Sequence, residues 1–127
     1  VIAVYEETGL IIKQGADWHI TISLYGDKQQ TLPFDLTGFE AKMQIRKEAG
    51  ACNVIAEVTV SIPDPVIGKI TGSLTAEQTQ AIPTKGKSYE EMETYVCDLY
   101  IKKLATGARQ RVLEKYVYVS PGVTRDD

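Results

Sequence analysis

The sequence is poor in the residues that carry most protein chemistry. It has one histidine, two cysteines and one tryptophan in 127 residues. Cys52 and Cys97 cannot make a disulfide framework, and a zinc site needs more ligands at closer spacing. A reducing compartment of synthesis is the simpler expectation. Neither a P-loop pattern nor GxGxxG occurs, so no phosphate cradle is expected. The longest apolar runs are a few residues, and there is no basic run or basic amphipathic helix. No bilayer span and no membrane partner are therefore expected. The opening VIAVYEETGLIIK lacks the cationic and long apolar regions of a signal peptide. A formal net charge of −3 argues against a nucleic-acid partner, which calls for a basic patch. There is no internal repeat and no low-complexity segment.

The abundant feature is alternation. Trp18, Ile20, Ile22 and Leu24 alternate with His19, Thr21 and Ser23. Phe39, Ala41, Met43 and Ile45 alternate with Glu40, Lys42, Gln44 and Arg46. The same period of two runs through Val54–Val60, Ile70–Leu74 and Tyr95–Ile101. It means one buried face and one wet face, as in antiparallel sheets. Turn signals separate the runs: Gly26-Asp27, Thr37-Gly38, Ala49-Gly50, Pro63-Asp64-Pro65, Lys85-Gly86 and Thr106-Gly107. Thr106-Gly107 lies between two strand-like runs and predicts a hairpin. One segment breaks the pattern. Thr75 with Gln78 three residues on fits a capping box, and Pro83 limits continuation of the segment, so a short connecting helix is expected near 75–82.

The expected fold is all-β: a single antiparallel β-sandwich domain over 1–127, immunoglobulin-like in general architecture, with its topology open. The Cys…Trp…Cys arrangement of antibody domains is absent. About twenty inward side chains, each worth roughly 1.5–3 kcal/mol on burial, can close such a core without a cofactor, and none is expected.

Candidates for chemistry are few. His19 sits on the polar phase of its strand, with no nucleophile in a suitable setting, and reads as a half-exposed strand residue. Glu90, Glu91 and Glu93 lack the spacing and central glycine of a calcium loop, and Asp126-Asp127 reads as a solvated tail. No metal site is expected. Trp18 is on the apolar phase and reads as core, not as a sugar platform. Cys97 reads as a core thiol and Cys52 as a loop residue. No enzymatic activity is expected.

The last strand is the anomaly. In VLEKYVYV, Val117 and Val119 face one side and Tyr116 and Tyr118 the other, so both faces are largely apolar. Either a loop or the helix covers the tyrosine side, or it is a protein-binding patch, since tyrosine is enriched at interfaces. Tyr100 can join such a patch, with Tyr5 and Tyr25 as weaker candidate assembly contacts. Val1–Tyr5 reads as an ordinary first strand, with strand addition to a neighbouring chain as the alternative.

The order IIKQGADWHITISL, FDLTGFEAKMQIR, ITGSLTAEQTQAI, YVCDLYI and VYVSPGVTR resembles a family of small bacteriophage virion proteins. These occur beside tail-fibre genes or as the N-terminal domain of baseplate upper proteins. Gln14-Gly15, Asp35-Leu36-Thr37-Gly38, Gln44-Ile45-Arg46, Thr75–Thr79 and Val123-Thr124-Arg125 carry the resemblance. A glycine expected in that family before the last strand is replaced around Glu114-Lys115, and the loop from Pro83 to Glu93 is long and acidic. The resemblance implies a virion structural protein, made in the host cytoplasm, which joins tail, baseplate or fibre components. Its partners are then other virion proteins, including copies of itself, and it carries no fibre or receptor-binding domain of its own. The alternatives are a capsid decoration protein and, outside structural roles, a carbohydrate-binding module or small hydrolase.

Overall fold

A computed structural model describes residues 2–6 and 10–123. Val1, Thr124, Arg125, Asp126 and Asp127 lie outside the described residues. The strands are β1 (Ile2–Val4), β2 (Ile11–Lys13), β3 (Trp18–Tyr25), β4 (Phe39–Arg46), β5 (Ala56–Asp64), β6 (Lys69–Leu74), β7 (Glu93–Lys103) and β8 (Arg109–Ser120). A short helix, α1 (Ala76–Gln80), joins β6 to the segment before β7. Thr75 and Gln78 form the reciprocal capping box that their spacing predicts.

The strands form a single sheet in the order β1-β3-β6-β5-β4-β7-β8-β2, curled into a half-barrel. The curl supplies the two facing layers. β1, β3, β6 and β5 run in the order A-B-E-D of an immunoglobulin domain, and β4, β7 and β8 in the order C-F-G. The chain's first strand is split between the layers: β1 pairs antiparallel with β3, and β2 pairs parallel with β8. That parallel pair is the one departure from an antiparallel sheet among the described residues. β5 belongs to both layers. Ala56–Val58 pairs with β4, and the rest of the strand pairs with β6.

The inward phases meet in one core. It contains Trp18, Ile20, Ile22 and Leu24 from β3, Met43 and Ile45 from β4, Tyr95, Cys97, Leu99 and Ile101 from β7, and Leu113, Val117 and Val119 from β8. Trp18 is buried, as its phase requires. Thr106-Gly107 makes the β7–β8 hairpin, with Gly107 at φ +74. Gly68 reverses the chain before β6 at φ +70, where a Cβ would come 2.6 Å from the carbonyl oxygens of Leu24 and Phe34.

Three local expectations need correction. Val54 is exposed and precedes the strand, because Ile55 N–H already closes on Ile45 O at 2.8 Å and sets the turn there. Pro63-Asp64 belongs to β5, and the turn is the 3-10 segment Pro65–Ile67. Pro63 lacks an N–H for the ladder, and the register shifts between Ser61 and Asp64 where it sits. The last strand starts at Arg109 and not at Val112, and Glu114 and Lys115 lie well inside it.

One end of the sandwich is closed by side chains. Gln14 follows β2, and its backbone N–H donates to Ser120 O at 3.0 Å. Its side-chain Nε2 donates to Ile82 O at 3.0 Å, and its Oε1 accepts from Gly122 N–H at 3.0 Å. Gly15 N–H donates to Thr79 Oγ1 at 3.0 Å, and that hydroxyl reaches Ala16 O at 2.9 Å. Asp17 Oδ1 accepts from Ala76 N–H at 2.7 Å, on the first turn of α1. Thr79 is fully buried in this network. Gln14→Ala leaves a donor and an acceptor without partners and should lower unfolding free energy by about 2 kcal/mol. Urea denaturation measures this, and a loss near zero would show that water replaces the amide freely.

Candidate functional site

The outer face of β4, β7 and β8 can be laid out from the strand registers. Thr94 lies opposite Tyr118. The next row is Arg46, Val96 and Tyr116, followed by Gln44, Asp98 and Glu114. Then come Lys42, Tyr100 and Arg111, and finally Glu40, Lys102 and Arg109. A register shift between Leu99 and Tyr100 accommodates one extra residue of β8.

Tyr116 is 60% exposed and Tyr118 37%. Among the described residues, neither α1 nor a loop covers them, so the covered alternative does not hold for this pair. Tyr100 is on the same face but half-buried, with the Arg109 guanidinium 5.3 Å above its ring. The row of Asp98 and Glu114 separates it from Tyr116. Arg111 sits among those acids, 2.8 Å from Glu114 and 4.0 Å from Asp98. Tyr5 lies at the seam between β1 and β8, half-buried, 5.9 Å from the Lys115 ammonium. Tyr25 ends β3 and bridges to Pro33. The five tyrosines therefore do not form one patch, and only Tyr116 and Tyr118 stand together.

Two further exposed residues lie on the loop that reaches the end of β8. Ser120 Oγ donates to Tyr89 O at 2.8 Å, which brings the loop before β7 to the end of β8. Tyr89 is 66% exposed and Met92 is 40% exposed. Met92 immediately precedes Glu93, which pairs with Val119. The acidic composition of this loop hides them in the sequence, and no short-range pattern links them to β8.

The titratable groups around the core are structural. Tyr95 is buried and donates its hydroxyl to Pro83 O. Burial, with Glu93 beside it, raises its pKa. The Cys97 thiol is pushed up to about 11, mainly by burial. Asp35 accepts from the Thr37 hydroxyl at 2.6 Å and the Thr37 N–H at 2.9 Å. Those bonds hold its carboxyl below the usual value and set the DLTG turn. His19 is exposed, opposite Ser73. Among the described residues, no group of three or more His, Cys, Asp or Glu could hold a metal ion. No helix among them is long and apolar enough to cross a membrane.

No protein-family model matches the chain, and a search of curated proteins gives no match. Several of the segments singled out in the sequence have structural roles here. Gln14-Gly15 and Thr75–Thr79 meet in the network at the end of the sandwich. Asp35–Gly38 sets a turn whose Gly38 carbonyl accepts from Leu104 N–H at 2.9 Å. Arg46 Nη1 holds Ala51 O at 2.8 Å. Val123 is exposed.

The two thiols should separate cleanly. Cys52 is exposed and Cys97 buried. With Ellman's reagent at pH 8, Cys52 should react at once and Cys97 only after unfolding. Fast reaction of both would contradict the core position. The buried thiol favours its neutral form. Its contribution to stability is complete below pH 9.0, the ordinary value, and is lost as the pH climbs through about 11.

Proposed function

We propose that the chain is a structural module of a bacteriophage particle, an adaptor that joins tail, baseplate or fibre components. Its contacts are made through the outer face of β7 and β8, with other virion proteins and copies of itself as partners. The observation that carries this is the solvent-facing pair Tyr116 and Tyr118, with Tyr89 and Met92 exposed on the loop that reaches the end of β8. Exposed tyrosines lose apolar hydration when covered and keep a hydroxyl for hydrogen bonding, which suits interface cores. The rigid strands beneath them fix their Cβ positions, so little backbone entropy is lost on docking. The resemblance of the sequence to small virion proteins supplies the biological setting. The role uses surface, with no catalytic step and no cofactor.

Tyr116→Ser with Tyr118→Ser should leave the fold intact by circular dichroism, because both side chains point to solvent. The doubly substituted protein should be incorporated into particles at least tenfold less. Normal incorporation would remove the patch from the assembly surface. Antibody label on purified particles should appear at the tail or fibre base. Label over the head would replace the adaptor role with capsid decoration.

A further inference from the structure

We propose that the groove over the row Arg46, Val96 and Tyr116 receives an extended segment of a partner protein, one that presents a carboxylate beside an apolar side chain. The inference rests on the assembly role only for the existence of a partner. The groove is open, with a volume of about 650 Å³, and spans β4, β7 and β8. Val96 forms its floor, with Arg46 on one flank and Tyr116 on the other. The flanks are two strand spacings apart, about 10 Å, which admits a single extended chain.

Charge matching selects the occupant. Of the cations that line the groove, Arg111 is paired with Asp98 and Glu114, and Lys115 lies at the seam with β1, 5.9 Å from the Tyr5 ring. Arg46 is different. Its guanidinium meets only neutral oxygens, Ala51 O at 2.8 Å and Gln44 Oε1 at 3.1 Å. No carboxylate among the described residues reaches it within 4 Å. It is half-buried against the groove, where a charge is less screened than on an open surface. An incoming carboxylate gains charge-assisted bonds to the planar fork of N–H donors. An apolar neighbour on the same segment then covers Val96 and packs on the Tyr116 ring. A cationic segment finds the opposite: Asp98 and Glu114 are already engaged by Arg111, and Arg46 repels it.

The test is a titration of the isotopically labelled protein, followed by amide resonances. The probes are acetyl-Val-Glu-Val-Glu-Val-amide and its lysine counterpart, acetyl-Val-Lys-Val-Lys-Val-amide. The glutamate peptide should give saturable shifts at Arg46, Val96 and Tyr116, at least tenfold tighter than the lysine peptide. Gln44→Glu gives Arg46 a carboxylate of its own while keeping its bond to Ala51. It should weaken the glutamate peptide about tenfold, the scale of one charge-assisted contact. Arg46→Gln should do the same. Absence of shifts at this row, equal shifts with both peptides, or indifference to Gln44→Glu overturns the groove assignment. Incorporation of the Tyr116 and Tyr118 variant into particles is read separately. A defect there, together with no peptide preference, overturns the groove and leaves the assembly role standing.

Discussion

The fold depends on one crossing. The first strand is divided between two layers, so the chain must pass from β8's side of the sandwich to β3's side over an open end. Backbone groups in such a passage have no ladder to join, and an unpaired buried amide is costly. Gln14, at the start of the passage, supplies partners for the two segments that flank it. Its primary amide has the same donor and acceptor groups as a peptide, and it uses them on Ile82 and Gly122 as a strand would. Thr79 does the equivalent for Gly15 and Ala16 from the helix side. α1 is only five residues long, too short to be stable alone. Its place is fixed by Asp17 and this network, with Ile82 driven into the core immediately after it. Tyr95 then anchors Pro83, and Ser120 anchors Tyr89. The loop at Tyr89 is thus held at the same end of the sandwich as Gln14, through Ser120.

Much of this is legible in the sequence, for a physical reason. Side-chain period and capping chemistry are local. Trp18, Ile20, Ile22 and Leu24 declare their face without reference to anything distant, and Thr75 with Gln78 declares a helix start. The hairpin at Gly107 is set by two residues. Long-range pairing is not legible in this way. Nothing in Ile11–Lys13 says that it pairs parallel with the end of β8. Nothing in Tyr89 or Met92 says that their loop reaches the end of β8, because a contact more than thirty positions away decides it. The tyrosine patch is only partly legible for the same reason. Phase puts Tyr100 on the face of Tyr116, but register places an ion-paired row between them. Pro63 misleads as a turn signal because a bulge lets a strand carry a proline.

Gln14-Gly15, Asp35–Gly38 and Thr75–Thr79 hold the backbone. Gln14-Gly15 and Thr75–Thr79 lie some sixty positions apart yet form a single hydrogen-bonded unit, so each constrains the other. Asp35–Gly38 fixes the approach to β4. Such residues specify a scaffold. A scaffold alone does not name a partner.

The position of the outer face also depends on how the sheet ends are treated. A free strand edge recruits other strands without discrimination. Here both ends of the sheet are three-residue strands, β1 and β2, and β8 is interrupted by a bulge. Lys115 occupies an inward phase of β8 yet remains exposed at the seam, where its charge opposes strand addition. With the edges blunted, the proposed contacts fall to side chains on the flat of the sheet. β7 lies in the interior of that sheet, paired on both sides, so Val96 has a rigid setting between Arg46 and Tyr116. A groove there discriminates by charge and shape, which an edge cannot do, and an uncompensated arginine at its rim is the feature that gives the choice a sign.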